Sequence, residues 1–183
     1  MKETFLTLIS YIKNPVLEKD TNKDIKYRLK IFGHLLIISL ATGLLVSPLF
    51  IIVEELGLVN MDDHAMEELM RTFSVTYIFL FTVILAPLIE EAFFRAPLTL
   101  FDNPKSFKPA FYTFAIIFGL IHITNFTITT NVLLLAPILI LPQTLLGTYL
   151  GFIRVRFGLL WSIALHACYN GILMILTLSA DLV

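Results

Sequence analysis

The chain has 183 residues, of which 57% are hydrophobic and 15% are charged, with a mean hydropathy of +0.86. This composition is too apolar for an ordinary soluble domain, and the length is sufficient for five or six membrane spans. The formal net charge of −1 excludes the strongly basic surface of a nucleic-acid-binding protein. The sequence therefore predicts an all-α, polytopic transmembrane helix bundle whose partners include membrane lipids and no nucleic acid.

Residues 1–26 are predicted to form an amphipathic, basic, cytoplasmic segment that precedes a membrane domain over residues 27–183. A cleavable secretory signal is not expected, because Glu3 occupies the place of a basic residue and no small-residue cleavage site follows. Apolar residues recur in this segment at the spacing of one helical face: Phe5, Leu8, Ile9 and Ile12. The spacing indicates an N-terminal amphipathic helix that either lies on the membrane surface or packs against the bundle.

Apolar segments follow at about residues 31–53, 72–100, 109–124, 132–154 and 157–180. The first and the fourth segments contain prolines at which each could break into two helices, so we predict five or six spans. Pro137 and Pro142 are expected to bend the fourth segment. Its Gly147 and Gly151 form a small-xxx-small face, which either admits a neighbouring helix closely or is a chance match.

Charged residues are sorted along the chain in a way that predicts topology. Of the 13 lysines and arginines, Arg71 falls in the second loop and Arg95 inside a span, which leaves 11 on one side of the membrane. The second loop is instead rich in acids: Glu54, Glu55, Asp62, Asp63, Glu67 and Glu68. Because basic residues beside spans favour the cytoplasm, the N-terminus is predicted to be cytoplasmic and the acidic loop to face outward.

Ionisable and amide side chains occur inside three of the predicted spans. They are, in chain order, Glu90, Glu91, Arg95, His122, His166 and Asn170. A charged side chain at the bilayer centre costs roughly 2.5 to 3.5 kcal/mol, so a set of such groups indicates mutual pairing and a function. From the helical rise, Glu90, the middle histidine, His166 and Asn170 lie roughly 14 to 20 Å from the cytoplasmic ends of their spans. Three spans are therefore expected to bring polar side chains into one layer, around a site open to the cytoplasmic face.

Helical spacing divides these residues by role. Glu91 and Arg95 are four residues apart and share a helix face, so they are expected to form an ion pair that supports the site. Glu90 points about 100° away and is free to exchange protons with a reactant. His166 and Asn170 are also four apart, so an imidazole and an amide donor face one cavity and could hold an oxyanion. Taken singly, each is equally explained by interhelical hydrogen bonding.

The remaining candidates carry less information. His34 is expected at the membrane interface without a polar partner in its own helix, and His64 is expected to be solvated in the acidic loop. Asn125, one turn beyond His122, is either a partner of that histidine or a helix end. Cys168 is the only cysteine, which excludes an internal disulfide and a cysteine-rich zinc site, and it is expected to be a small buried thiol.

Three short motifs resemble those of a known family. They are Glu-Glu-Ala-Phe-Phe-Arg at residues 90–95, Phe-Gly-Leu-Ile-His at 118–122 and His-Ala-Cys-Tyr-Asn at 166–170. Their order and separations are similar to those of the CAAX-protease and bacteriocin-processing (CPBP, Abi) family of intramembrane glutamic endopeptidases. The resemblance covers about residues 79–173, and the first seventy residues contribute little to it.

This resemblance implies an intramembrane endopeptidase like the type II CAAX prenyl proteases, located in a bacterial plasma membrane. In such an enzyme Glu90 and His122 activate a water molecule, and His166 and Asn170 stabilise the oxyanion. The substrate would be a membrane-associated protein or peptide that enters from the cytoplasmic side. The family implies no cofactor. Two histidines and a glutamate could alternatively furnish a catalytic zinc site, although the histidines do not share one helix in a His-Glu-x-x-His arrangement.

Two other functions compete with proteolysis. A non-catalytic membrane scaffold, or a bacteriocin self-immunity protein, could use the same polar cluster only to fix its helices. A proton-coupled carrier is disfavoured because the sequence shows no internal repeat.

Overall fold

The structure, a computed structural model, describes residues 1–61 and 65–180. The α-helices in these ranges are α1 (Lys2–Lys13), α2 (Ile25–Glu55), α3 (Ala65–Thr72), α4 (Val75–Phe79), α5 (Ala86–Phe94), α6 (Pro104–Ile121), α7 (Thr130–Leu134), α8 (Ala136–Leu139), α9 (Leu141–Phe157) and α10 (Leu159–Ala180). A π-helix (Leu80–Leu85) joins α4 to α5, and 3₁₀ turns lie at Pro97–Leu100 and His122–Asn125. The described residues form no strand, so the predicted all-α class is confirmed. Asp62, Asp63 and His64 lie outside the described residues.

Four helical segments are long and apolar enough to cross a membrane: Ile25–Glu55, Val75–Leu100, Pro104–Asn125 and Leu159–Ser179. They are named here the first, second, third and last spans, and they correspond to the first, second, third and fifth predicted segments. The chain is therefore an integral membrane protein. Four segments in the described part of the chain meet this criterion, against the five or six that the sequence predicts.

The difference arises at residues 132–154, the predicted fourth span, which is divided among α7, α8 and α9. α7 and α8 each end three residues before a proline, Pro137 and Pro142 respectively, and each proline lies in the first turn of the next helix. A proline has no N–H group to continue the preceding hydrogen-bond ladder, whereas it fits a helix start. The bends expected at these prolines are therefore complete breaks. The first span, in contrast, runs unbroken through Pro48.

α9 is the central helix of the bundle and packs against α1, α2, α6 and α10. Every residue from 146 to 153 is buried, as expected for a helix surrounded by protein. A Cβ atom added at Gly147 would lie 3.3 Å from the backbone of Ala115, and one added at Gly151 would lie 2.7 Å from the ring of Phe111. Of the two interpretations left open for this small-residue face, the structure shows the close helix approach.

Replacing Gly151 by alanine should destabilise the bundle. The Phe111 ring is only 2% exposed and cannot move away from the added methyl group, so overpacking should cost about 1 to 3 kcal/mol of unfolding free energy. Thermal unfolding in detergent measures this effect. Gly33→Ala is the matched control, because no atom lies within 4 Å of its added Cβ. Equal unfolding midpoints for the two variants would contradict close packing at Gly151.

α1 packs against the bundle. Leu8 and Tyr11 are buried in the main apolar core, and the ring of Tyr11 contacts that of Phe152 edge-on at 5.0 Å between centroids. Phe5, which the sequence assigns to the apolar face, is instead exposed. Of the two arrangements left open for the N-terminal helix, the structure shows the packed one.

Polar contacts tie together the end of the bundle where the basic residues gather. Arg156 and the Tyr27 hydroxyl each donate to Asp20 at 3.0 Å, and Lys108 donates to Asn14 at 3.1 Å. Burial raises the pKa of the Asp20 carboxyl, but the hydrogen bonds that it accepts and the Arg156 charge hold it below its ordinary value overall. We name this side of the bundle the basic end, and the side that carries the C-terminus of α2 and helix α3 the acidic end.

The expectation for Cys168 was wrong, because this residue is exposed on α10 rather than buried. The polar partner of His34 comes from a different helix: α1 lies beside α2 and places the Thr4 hydroxyl 2.8 Å from the Nδ1 of His34.

Candidate active site

Glu91 is the buried centre of the polar cluster, with 0% of its surface exposed. Its Oε1 lies 3.5 Å from Arg95 Nη1 and 3.1 Å from His166 Nδ1. Its Oε2 accepts a hydrogen bond from the Ser162 hydroxyl, which also contacts the Leu150 carbonyl oxygen at 3.0 Å. The predicted ion pair with Arg95 is therefore present, and the carboxylate joins the second span to α10.

Arg95 is itself buried, with 1% of its surface exposed. Its guanidinium group lies over the ring of Phe118 at 4.1 Å and near the ring of Phe94 at 5.7 Å. Its Nη2 donates to the Gly147 carbonyl oxygen at 3.4 Å. The free-energy cost of removing the Arg95 charge from water is compensated mainly by the paired carboxylate of Glu91. Arg95 and Glu91 therefore depend on each other for stability.

Glu90 is half-buried and faces a cavity. No donor among the described residues hydrogen-bonds its Oε2, although that atom is shielded from solvent. Its neighbour is His166, whose Nε2 lies 3.7 Å away. His166 thus presents one ring nitrogen to Glu91, which fixes the orientation of the ring, and the other to Glu90. The carboxylate of Glu90 is left available for a reactant in the cavity.

His122 begins the 3₁₀ turn at the end of α6. Its Nδ1 lies 2.7 Å from the carbonyl oxygen of Phe118, and its ring contacts the Phe118 ring at 4.9 Å. A carbonyl oxygen can only accept, so Nδ1 carries the proton and a neutral ring has its lone pair on Nε2. This tautomer suits a histidine that accepts a hydrogen bond or a proton from water.

Asn170 is anchored to the π-helix of the second span. Its Nδ2 donates to the carbonyl oxygen of Thr82 at 2.9 Å, and the Thr82 hydroxyl donates to the carbonyl oxygen of Ile78 at 2.8 Å. The wider hydrogen-bond spacing of a π-helix is rare and frequently marks a functional site. An amide nitrogen has two N–H groups, so this contact leaves a second donor on Asn170.

One cavity of about 410 Å³ joins these side chains. Glu90, His122, His166 and Asn170 all line it, so the convergence of three spans predicted from helical depth is observed. Asn125 ends the 3₁₀ turn, as one of the two interpretations left open for it requires, and it also lines the cavity.

The cavity extends from these residues toward the acidic end. On the second span the lining runs from Glu90 back to Ile78, and on α10 it runs from His166 forward to Leu178. Residues of α3 line its outer part. The sequence predicts a site open to the cytoplasmic face, and the side of the membrane that each end of the bundle faces stays a prediction.

Sequence reasoning missed two polar residues of this region. Ser162 precedes His166 by four residues, as His166 precedes Asn170, so their shared helix face could have revealed it. Gln143, in the first turn of α9, lines the cavity, and its Oε1 is shielded from solvent without a hydrogen-bond partner. The sequence alone does not place Gln143 at the cavity, because its position there depends on the break of the helix at Pro142.

Across residues 1–61 and 65–180, no three His, Cys, Asp or Glu side chains are grouped as the ligands of a metal ion. The carboxyl, imidazole and amide groups of the cavity are instead arranged around space that a water molecule and a substrate can share. A chelator distinguishes the zinc alternative from a metal-free site.

The fold and the site together define a polytopic membrane protein with acid, base and amide groups around one intramembrane cavity. The profile of the type II CAAX prenyl endopeptidase Rce1-like family matches residues 72–172, which is more than half of the chain. The chain belongs to this family. The matched region includes the second and third spans and all six candidate site residues. No curated protein and no solved structure was found to match the chain.

Proposed function

We propose that the protein is an intramembrane glutamic endopeptidase that hydrolyses a peptide bond of a membrane-associated protein or peptide. The observation that carries the proposal is a shielded Glu90 oxygen that accepts no hydrogen bond from the described residues and lies in a cavity shared with His122, His166 and Asn170. Membership of a CAAX-type endopeptidase family supports the same reaction class. A bacterial plasma membrane with the N-terminus in the cytoplasm is the proposed location.

Glu90 is the general base in this mechanism. Its carboxylate takes a proton from a water molecule in the cavity, while Nε2 of His122 accepts the other hydrogen of that water and orients it. The oxygen adds to the carbonyl carbon of the substrate and forms a tetrahedral intermediate. Glu90 then returns the proton to the amide nitrogen, the C–N bond breaks, and an acid and an amine leave.

His166 and Asn170 stabilise the negative charge that develops on the carbonyl oxygen. Asn170 supplies the N–H that does not bind Thr82, and the imidazolium form of His166 donates from Nε2. Donors of this type commonly contribute about 2.7 to 4 kcal/mol of transition-state stabilisation each. Glu91 supports the site indirectly, because it holds the His166 ring while Arg95 neutralises it.

A peptide cleavage assay tests this proposal. The purified protein in lipid nanodiscs is incubated with a farnesylated peptide that ends in Cys-aliphatic-aliphatic-X, its unprenylated counterpart and a mixed membrane-peptide library. Mass spectrometry identifies the products. We expect cleavage that a chelator leaves unchanged and that His122→Ala lowers by about 10² to 10⁴-fold.

His34→Ala is the matched control for this assay, because His34 lies beside α1 and does not line the cavity. Cleavage that stops with the chelator would contradict the metal-free mechanism and leave the endopeptidase function standing. If no peptide is cut, and His122→Ala leaves the cellular phenotype of the intact protein unchanged, the scaffold or self-immunity function replaces the proposed one.

A further inference from the structure

The two ends of the bundle differ in charge. Around the basic end lie the lysines and arginines at positions 2, 13, 19, 23, 26, 28, 30, 105, 108, 154 and 156. The sequence between residues 54 and 71, which follows the first span, contains six acids and Arg71 as its one lysine or arginine. By the preference of basic residues for the cytoplasm, the acidic end faces the outside of the cell.

The basic side of the Glu90 layer is filled with packed side chains. Directly below Glu90 lie Arg95 and Leu98, each 1% exposed, and beyond them Phe107 and Phe111 are equally buried. Helix α1 then closes this end, with Leu8 at 0% exposure. Within the described part of the chain, none of these buried side chains lines the cavity that contains Glu90.

The acidic side of the same layer is open space. The cavity continues past Asn170 to Thr177 on α10 and past His122 to Asn125 on the third span. Helix α3 covers its outer part and also packs against the 3₁₀ turn that contains His122. Leu69 and Met70 of α3 line the cavity, whereas Glu68 and Arg71 are exposed on its other side.

We propose that the peptide substrate reaches Glu90 from the acidic end, beneath α3, and not from the basic end. With the predicted topology, the substrate is then a peptide segment or protein tail presented on the outer side of the membrane. This inference rests on the proposed endopeptidase function and replaces the cytoplasmic access that the sequence suggested. α3, which is amphipathic and short, is the element that a bound substrate displaces.

Cysteine labelling from each side of the membrane tests the direction of access. Cys168→Ser removes the native thiol, and Ala86→Cys then places a small thiol in the cavity, one helical turn before Glu90. Thr177→Cys is a second cavity position nearer the mouth. Right-side-out and inverted vesicles are treated with the membrane-impermeant reagent sulfonatoethyl methanethiosulfonate. Labelling is read by mass shift.

Glu68→Cys on α3 and Asp102→Cys in the loop after the second span report the accessibility of the acidic and basic faces. We expect Ala86→Cys and Thr177→Cys to react in the same type of vesicle as Glu68→Cys. Their labelling there should be at least about tenfold faster than in the opposite type of vesicle, because only a water-exposed thiol ionises and reacts. The proposal would be overturned if the two cavity thiols reacted in the type of vesicle that labels Asp102→Cys, or if they reacted in neither type.

Labelling does not depend on catalysis. The labelling experiment therefore tests the direction of access, and the cleavage assay tests the endopeptidase function independently of it. One-sided labelling from the acidic end with no cleavage of any peptide would overturn the endopeptidase function while the direction of access stands. Cleavage combined with labelling from the basic end would overturn the direction of access alone. Labelling of Glu68→Cys in inverted vesicles would place the acidic end in the cytoplasm and overturn the proposed outer location of the substrate.

Discussion

Replacing Glu90 by glutamine should lower kcat for peptide cleavage by about 10² to 10⁴-fold, as expected when a general base is lost. Glutamine has nearly the same shape as glutamate, but its amide cannot take a proton from water. Glu90 Oε2 has no hydrogen-bond partner among the described residues, so the folded state should lose little when the charge is removed. Initial rates at saturating peptide, together with the thermal unfolding midpoint, measure both effects.

Glu55→Gln, at the end of the first span, is the matched control, because this exposed carboxylate lies outside the cavity. Its kcat and unfolding midpoint should equal those of the unsubstituted protein. A Glu90→Gln protein that keeps more than half of the original kcat would remove Glu90 from the mechanism. The alternative base would then have to be His122, whose Nε2 is the other acceptor predicted to face the water.

Replacing Glu91 by alanine should destabilise the protein by about 3 to 5 kcal/mol, because it leaves the Arg95 guanidinium buried without its counter-charge. The contacts that Arg95 keeps include a long hydrogen bond to the Gly147 carbonyl at 3.4 Å and the rings of Phe118 and Phe94. Ser162 and His166 would also lose their shared acceptor. The unfolding midpoint in detergent, monitored by circular dichroism, measures the loss.

A double variant distinguishes the loss of pairing from the loss of volume. Glu91→Leu with Arg95→Met removes both charges and fills similar space, so it should be more stable than Glu91→Ala alone. The same double variant should still lose activity, since the ring of His166 is no longer held by Glu91. If the double variant is less stable than Glu91→Ala, the cost would lie in packing around the site rather than in an unpaired charge.

Much of the site could be predicted because a membrane restricts where polar groups are placed. Six polar side chains in apolar spans already indicated mutual pairing, and helical spacing separated the Glu91–Arg95 pair from Glu90. Depths counted along each helix placed His122, His166 and Asn170 in one layer, and the structure brings them to one cavity. The catalytic roles of these residues stay predictions until the variants are measured.

The sequence left open whether the predicted fourth span bends or breaks at its prolines, and the structure divides residues 130–157 among three helices. Proline removes one hydrogen bond, but whether a helix then kinks or ends depends on partners that satisfy the freed backbone groups. Pro48 leaves α2 continuous, whereas Pro137 and Pro142 begin new helices. Ser162 was also missed, because its importance arises from the Glu91 carboxylate on a different span.

The sequence alone determined the membrane class, the helical fold, the positions of the main spans and the set of polar residues that meet. These properties follow from hydropathy, charge distribution and the 3.6-residue period, which are local along the chain. Only the tertiary structure decided that α9 is the buried centre, that α1 packs at the basic end and that the cavity extends toward the acidic end. Those features depend on which side chains fill the space between helices, and residues far apart in the sequence supply them.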